Sequence, residues 1–275
     1  MPRIYHLYIS LYLTISGITA YGQTEMHPQA SENPYLTTDT LSEPNDEYEK
    51  LNKDFIVNGI QDFTYTLSRP AHWKQKDWLK FSAVIGGTGA LMLADKEIRH
   101  FFLHNQNQST VTAVANGVKQ MGDVYGLCAF PAVYVVGLAS GNKKMQSIGL
   151  RGSKAVVISS TIFTLSKNII RRGRPDVTDN PFDFAPPFSK VRYKSFPSGH
   201  TTIAFAIATS LAEEFPDKKW IAPVAYTLAS MTGISRLYHN RHWASDVFIG
   251  AALGHFVTKA VYHHHRKRHR LVRTY

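Results

Sequence analysis

The sequence has little cysteine, few acidic residues and few long apolar runs, and each shortage narrows the choice of protein class. Its single cysteine, Cys128, rules out a disulfide within the chain. Only residues 124–140 approach the about 20 apolar residues that a membrane-spanning helix needs. The chain has no internal repeat and no recognisable nucleic-acid-binding module. Compartment therefore cannot be argued from cysteine usage, and nucleic acid is not the expected partner.

Positive charge prevails in the sequence. The 31 lysines and arginines outnumber the 20 aspartates and glutamates, which gives a formal net charge of +11. Such an excess suits an anionic membrane surface or anionic substrates. Part of it lies in a basic tail, residues 263–275, which is either a lipid-headgroup contact or a solvated terminus. We expect the partners to be phosphorylated lipids or small phosphate esters, together with a membrane surface.

The N-terminal region has the features of an exported protein. Residues 1–22 combine Arg3, an apolar stretch over 4–18, and small residues at Ala20 and Gly22, as in a secretory signal peptide. Cleavage is expected before residue 23, and the alternative is an uncleaved first membrane helix. Residues 23–47 are polar and aperiodic, which predicts a flexible leader. These features place the mature protein in the periplasm or cell envelope.

The remainder of the chain favours an all-α fold. Residues 48–68 carry apolar side chains at helical spacing and predict an amphipathic helix. Six apolar helical stretches follow, over about 79–94, 124–140, 150–166, 200–213, 220–234 and 246–262. We predict a six-helix-core bundle in one domain, residues 48–262, with its core in 79–262.

Three polar clusters interrupt this apolar background. They are Lys167–Pro175, Pro197–His200 and Ser235–Asp246. In an up-down bundle with short turns, the end of the third stretch, the start of the fourth and the turn between the fifth and sixth lie at one end. The clusters are therefore expected to meet, although an arginine run such as 171–174 is, by itself, more often a solvated loop.

Several residues of the clusters are of types that bind phosphate. Arg174 and Arg236 offer planar forks that match two phosphate oxygens, and Lys167 adds a compact charge. Ser198 and Gly199 directly precede an apolar run that predicts a helix. Backbone N–H groups at a helix N-terminus favour an anion. The five residues together indicate a phosphate pocket.

Two histidines and one aspartate could supply the chemistry. Asp246 follows His242 by four residues, so the two share a face if both lie on one helix. A neighbouring carboxylate fixes the tautomer of an imidazole and raises its basicity, which suits a nucleophile or base. His200 could protonate a leaving oxygen. Because no acidic cluster with metal-ligand spacing lies nearby, we expect phosphoryl transfer without metal or cofactor.

The clusters together resemble a known signature. Their spacings are Lys167-x6-Arg174-Pro175, then Pro197-Ser198-Gly199-His200, then Ser235-Arg236-x5-His242-x3-Asp246. This pattern is similar to that of the type 2 phosphatidic-acid phosphatase superfamily, which includes bacterial class A acid phosphatases and vanadium haloperoxidases. The resemblance implies that His242 is a nucleophile forming a phosphohistidine, that Asp246 orients it, and that His200 is the general acid. It also implies a helical bundle, with the phosphate oxygens held by Lys167, Arg174, Ser198, Gly199 and Arg236.

The function expected from these residues is hydrolysis of a lipid phosphomonoester or diphosphate, such as a phosphatidate, an isoprenyl diphosphate or a saccharolipid phosphate. Three alternatives stay open: a soluble periplasmic acid phosphatase of broad specificity, a vanadate-dependent peroxidase, and a non-enzymatic envelope protein. Residues 176–196 carry several prolines and Phe182, Phe184 and Phe188. This loop is either a lid over the site or a packed surface loop.

Overall fold

In a computed structural model, residues 48–106, 108–188 and 193–272 are described, and they fold into eight α-helices. The helices are α1 (Lys53–Ser68), α2 (Gln75–His104), α3 (Ser109–Val118), α4 (Val124–Ala139), α5 (Lys143–Ile170), α6 (Gly199–Glu214), α7 (Ile221–Tyr238) and α8 (Ala244–Val272). Short 3-10 helices follow α1 (Arg69–His72) and α3 (Lys119–Gly122). The all-α helical bundle predicted from the sequence is confirmed. The expected signal peptide and leader lie outside the described residues.

Local sequence signals account for several helix ends. Asn52 caps α1 by accepting a hydrogen bond from the Phe55 N–H at 2.9 Å, and Asn142 caps α5 through the Met145 N–H at 3.0 Å. At the other end of α5, Arg171 adopts the left-handed conformation with φ of 48°. This conformation stops the helix. The chain therefore turns sharply at the start of the first polar cluster.

The central element is α6, which contacts α5, α7 and α8. Side chains on all of its faces are buried, and many of them are alanine, serine or threonine. Small residues allow neighbouring helices to approach closely, and α8 approaches α6 most visibly at Gly254. A Cβ atom at Gly254 would lie 2.3 Å from the backbone oxygen of Thr202. The fold therefore requires glycine there, because no larger residue fits without moving the backbone.

Three helices are longer than their apolar runs suggested. The stretch 79–94 belongs to the 30-residue helix α2, the stretch 150–166 belongs to the 28-residue helix α5, and the stretch 246–262 continues to Val272 in α8. The prediction of a separate tail starting at residue 263 is therefore wrong through residue 272. The added turns of α8 gave no apolar signal because their residues are mostly basic, and ion pairs attach them to the domain.

Those ion pairs form a network between α1, α5 and α8. Asp62 of α1 is fully buried and accepts contacts from His264 at 2.7 Å, Lys154 at 2.9 Å and Arg268 at 3.3 Å. Lys154 also pairs with Glu49 at 2.7 Å. His264, His265 and Arg268 are thus packed against the domain, contrary to the interpretation of this segment as a solvated terminus, whereas His263, Arg266 and Lys267 are exposed.

The length and apolar content of the helices bear on whether the chain crosses a bilayer. In the described part of the chain, no single helix is long and apolar enough to cross a membrane. One bent pair passes the test jointly, namely Ser109–Gly122 with Val124–Ala139, which meet at 53°. This pair includes the stretch 124–140 that the sequence had indicated.

Candidate active site

The three polar clusters meet at one end of the bundle. The Lys167 side chain donates a hydrogen bond to the backbone oxygen of Lys194 at 2.8 Å, just before the second cluster. The Ser198 N–H of the second cluster donates to the backbone oxygen of Asp246 in the third at 3.0 Å. The ends of α5 and α7 and the starts of α6 and α8 are therefore held together, as the up-down arrangement predicts.

Three cations of this end lack a counter-charge. Among the described residues, no carboxylate forms an ion pair with Lys167, Arg174 or Arg236. Burial first, and then repulsion from Arg174, lowers the pKa of Lys167 to about 7. Arg236 is only 8% exposed, and its Nε has no hydrogen-bond partner in this part of the structure. A buried cation without a charged partner is costly, so Arg236 favours an anionic ligand, and the partly exposed Lys167 and Arg174 add positive charge beside it.

The N-terminus of α6 points into the same region. Ser198 is the N-cap residue and Gly199 begins the helix, and both are buried. The Ser198 hydroxyl accepts a hydrogen bond from the Thr201 hydroxyl at 2.9 Å. A Cβ atom at Gly199 would lie 2.9 Å from the ring of Phe163. Glycine is thus required for the packing here, and the positive end of the helix adds to the local potential.

The imidazole of His242 is buried beside Asp246. The His242 Nδ1 lies 3.7 Å from the Asp246 Oδ2, and His242 is 4% exposed. Burial lowers the pKa of His242 to about 3, with the charges of Lys167 and Arg174 acting in the same direction against the opposing effect of Asp246. The ring is therefore neutral near pH 7 and keeps a free lone pair, as a nucleophile must.

Asp246 is positioned by residues that the sequence interpretation missed. Its Oδ2 accepts hydrogen bonds from the Ser195 hydroxyl at 2.5 Å and the Trp243 N–H at 2.9 Å. Its Oδ1 accepts from Arg172 at 2.7 Å. Burial by itself would raise the pKa of Asp246, but His242 and Arg172 outweigh that effect and lower it. The carboxylate stays ionised and fixed behind the imidazole.

Arg172 connects this carboxylate to a second one. It is fully buried and pairs with both Asp246 and Asp95 of α2, each at 2.7 Å. Its Nε donates to the backbone oxygen of Pro181 at 2.8 Å. The solvated-loop interpretation of the arginine run is therefore wrong for Arg172, and also for Arg171, which is 4% exposed. The sequence did contain one indication of this pair. Asp95 directly follows an apolar stretch, and a carboxylate that is buried there needs a cation as its partner.

His200 lies on the other side of the site, at the edge of a cavity of about 320 Å³. Its Nε2 is 3.9 Å from the Asp123 Oδ2. Burial first, then Arg236, lowers the pKa of His200 to about 4, and Asp123 opposes this. The 3-10 helix before Asp123 packs tightly here, since a Cβ at Gly122 would lie 2.3 Å from the His200 backbone oxygen. Asp123 was missed because it lay in a connection without an apolar period.

The loop 176–196 folds back onto the first cluster. The Gly173 N–H donates to the Asp183 oxygen at 2.8 Å, and the Ala185 N–H donates to the Arg171 oxygen at 2.9 Å. Phe182, Phe184 and Phe188 are exposed. Residues 189–192 lie outside the described part, and the role of this loop as a lid stays a prediction.

The pKa of Lys167 predicts how anion binding depends on pH. Because this pKa is lowered to about 7, the charged form prevails below that pH and is lost above it. Sulfate stays a dianion throughout, so its affinity should fall about 10-fold between pH 6 and pH 9 as the charge-assisted contact is lost. Calorimetric titration with sulfate measures this. The Lys167→Arg variant stays charged and should lose most of this dependence on pH. A variant whose sulfate affinity falls as steeply as that of the wild type would contradict the prediction.

The part of the chain that carries the three clusters is similar to known proteins. Residues 153–270, which contain all three polar clusters, match the model of the PAP2 superfamily. An undecaprenyl-diphosphatase of Sulfolobus acidocaldarius is 30% identical over 158 residues, which cover 58% of this chain and 73% of that protein. The chain belongs to the PAP2 superfamily. The resemblance inferred from the three sequence clusters is thereby confirmed.

Other PAP2 relatives match over shorter regions or in fold. A lipid A 1-phosphatase of Porphyromonas gingivalis is 52% identical over 69 residues, which cover 25% of this chain and 16% of that protein. The chain spans 16–42% of the length of the lipid A 1-phosphatases that it matches. The crystal structure of a transmembrane PAP2-type phosphatidylglycerolphosphate phosphatase from Bacillus subtilis has a similar fold. The TM-score is 0.51 at 24% identity, covering 76% of this chain and 96% of that one.

Proposed function

We propose that this PAP2 protein is a phosphatase that hydrolyses a phosphomonoester or diphosphate of a lipid through a phosphohistidine intermediate. The observation that carries the proposal is the group of three cations without carboxylate partners around the buried, neutral His242. Relatives named lipid A 1-phosphatase, undecaprenyl-diphosphatase and probable diacylglycerol pyrophosphate phosphatase support a lipid phosphate as the substrate.

In the first step, the Nε2 of His242 attacks phosphorus, because its Nδ1 faces Asp246. The new N–P bond forms as the bond between phosphorus and the leaving oxygen breaks, and protonated His200 gives its proton to that oxygen. Asp246 offsets the positive charge that develops on the imidazole of His242. Lys167, Arg174 and Arg236 hold the three remaining phosphate oxygens. In a loose transition state the charge lies on these oxygens, so positioned cations supply most of the stabilisation.

In the second step, water attacks the phosphohistidine and His200 accepts the water proton. The N–P bond breaks, inorganic phosphate leaves, and both imidazoles return to their starting states. The low pKa of His200 is compatible with this cycle, because a bound phosphate dianion offsets Arg236 and favours the protonated ring. The cations perform the charge neutralisation that a metal would otherwise supply, and the mechanism uses no cofactor.

Attachment to a lipid surface fits the exterior of α2 and α4. Leu79 and Leu93 of α2 are 72% and 78% exposed, and Tyr125 of α4 is 72% exposed. Exposed apolar surface of this kind is typical of contacts with membranes or other proteins. Together with the signal peptide predicted over 1–22, it supports a phosphatase of the cell envelope that acts on the outer side of a membrane.

The proposal is tested by a phosphate-release screen on membrane and salt-wash fractions of cells that express the protein. Phosphatidate, an isoprenyl diphosphate and a saccharolipid phosphate would be compared with small soluble esters. Release from a lipid by the membrane fraction supports the proposal. Release from soluble esters alone, by the wash fraction, would favour a soluble acid phosphatase instead, and activity only with vanadate and peroxide would favour a peroxidase.

The role of His200 predicts a dependence on the leaving group. The His200→Ala variant should lose about 10²-fold or more in kcat/KM on alkyl phosphates, whose leaving oxygens need a proton. It should lose much less on an activated aryl phosphate, which leaves without one. A series of esters graded by leaving-group pKa measures the difference. Equal losses across the series would show that His200 does not act as the acid.

A further inference from the structure

The cavity next to His200 extends the candidate active site in one direction. Its volume is about 320 Å³, at the lower end of the range of small-molecule sites, which begins near 300 Å³. The lining residues are Asn116, Lys119, Asp123, His200, Arg236, His239 and Arg241. Only His200 and Arg236 also belong to the phosphate signature. The other five come from α3, from the segment that joins it to α4, and from the turn after α7, and no role has been assigned to them above apart from the proximity of Asp123 to His200.

The lining is predominantly cationic. Lys119, Arg236 and Arg241 contribute three positive charges, and Asp123 is the single carboxylate among the lining residues. Arg241 is half-exposed and pairs with Asp176 at 2.8 Å, outside the lining. The Lys119 ammonium donates to the Asn116 side-chain oxygen at 3.1 Å and has further N–H groups available.

One buried nitrogen atom of the lining residues also lacks a partner. The Nε of Arg236 has no hydrogen-bond partner among the described residues, and its side chain lines the cavity. Buried polar atoms of this kind are rare, because leaving one unsatisfied costs free energy. A cationic cavity beside an unsatisfied guanidinium nitrogen is suited to an anionic group.

We infer that this cavity holds the inner phosphate of a diphosphate ester while the outer phosphate reacts at His242. The inference rests on the proposed function, in which His200 protonates the leaving oxygen. When the P–O bond to the outer phosphorus breaks, His200 protonates the former bridging oxygen and the product leaves as a phosphate monoester. That leaving group is anionic, and Lys119 and Arg241 lie where they would offset its charge. An alcohol released from a simple phosphomonoester has no such charge.

The selectivity between diphosphate and monophosphate esters of one isoprenoid alcohol tests the inference. The wild-type protein should have the higher kcat/KM for the diphosphate. In Lys119→Gln the ratio of the two kcat/KM values should fall about 10-fold, as expected for one lost charge-assisted contact. Lys144→Gln is the matched control, since Lys144 is exposed near the start of α5 and should keep the wild-type ratio. A wild-type ratio near one, or an unchanged ratio in Lys119→Gln, would overturn the inference and leave the proposed phosphatase intact.

A direct binding measurement separates the inference from the proposed function. Methylenediphosphonate should bind the wild-type protein more tightly than methylphosphonate in calorimetric titrations, and Lys119→Gln should lose most of that advantage. Circular dichroism and thermal melting confirm that the variant is folded. If no lipid ester of the phosphate-release screen is hydrolysed, the proposed function is overturned, and the two phosphonates still decide whether the cavity binds a second anion. Equal affinities for both phosphonates would refute the inference that the cavity binds a second phosphate group.

Discussion

Replacing His242 with alanine should abolish phosphate release, with a loss in kcat on the order of 10⁵-fold or more, as is typical for removal of a covalent nucleophile. The variant keeps Lys167, Arg174 and Arg236, so it should still bind sulfate. Loss of turnover with retained anion binding would assign the effect to chemistry and exclude a collapsed site. Phosphate release over time, together with calorimetric titration with sulfate, measures both properties.

The control for this substitution is His104→Ala, since His104 is an exposed histidine at the end of α2. It should retain the wild-type rate. A rapid acid or alkali quench of the wild-type protein with labelled substrate adds a chemical criterion, because a phosphohistidine is stable in alkali and labile in acid. Substantial turnover by His242→Ala, or a label that survives acid, would contradict the covalent mechanism.

Replacing Arg172 with glutamine should lower the free energy of unfolding by about 3–5 kcal/mol, the range found when one partner of a buried ion pair is removed. The substitution leaves Asp95 and Asp246 buried without their cation, and both are fully inaccessible to solvent. Denaturant-induced unfolding followed by circular dichroism measures the change. Activity should fall as well, because the carboxylate behind His242 loses one of its fixed contacts.

Arg241→Gln is the matched comparison for stability. It makes the same chemical change in the half-exposed pair with Asp176, where the two side chains are 52% and 29% exposed. Pairs of this kind contribute about 0–1 kcal/mol. The two variants should therefore differ by several-fold in their effect on unfolding. Similar small effects would mean that the Arg172 pairs do not hold the domain together.

The helices and the meeting of the polar clusters could be predicted because both depend on short-range patterns. Apolar residues at helical spacing marked α4, α6 and α7 to within about four residues, although α5 begins seven residues before its apolar stretch. The order of the helices and the short turns after α4 and α6 indicated which helix ends lie together. The positions of cysteine, glycine and proline contributed little to the prediction of the fold. Spacing within a cluster could not predict which residue a charged side chain pairs with, when that partner lies far away along the chain.

Arg172 shows this limit most clearly. Its two carboxylates, Asp95 and Asp246, lie 77 and 74 residues away in sequence. An arginine inside a basic run has no local feature that distinguishes a buried pair from a solvated loop. The same holds for Lys119, whose connection carried no apolar period and which was not assigned to the site. The sequence therefore predicted which residues of the three clusters lie together, but it did not predict Arg172 or Lys119 beside them.

The ion network around Asp62 has a consequence for how the domain is made on the ribosome. The partners His264 and Arg268 lie 202 and 206 residues after Asp62, so α1 leaves the exit tunnel long before they do. Docking α1 earlier would bury an aspartate with only Lys154 to offset it. We therefore expect the first helix of the domain to complete its attachment last. A chain truncated before residue 264 should keep the packing of Phe63 against Val261 and Tyr262 but should lose two of the three partners of Asp62.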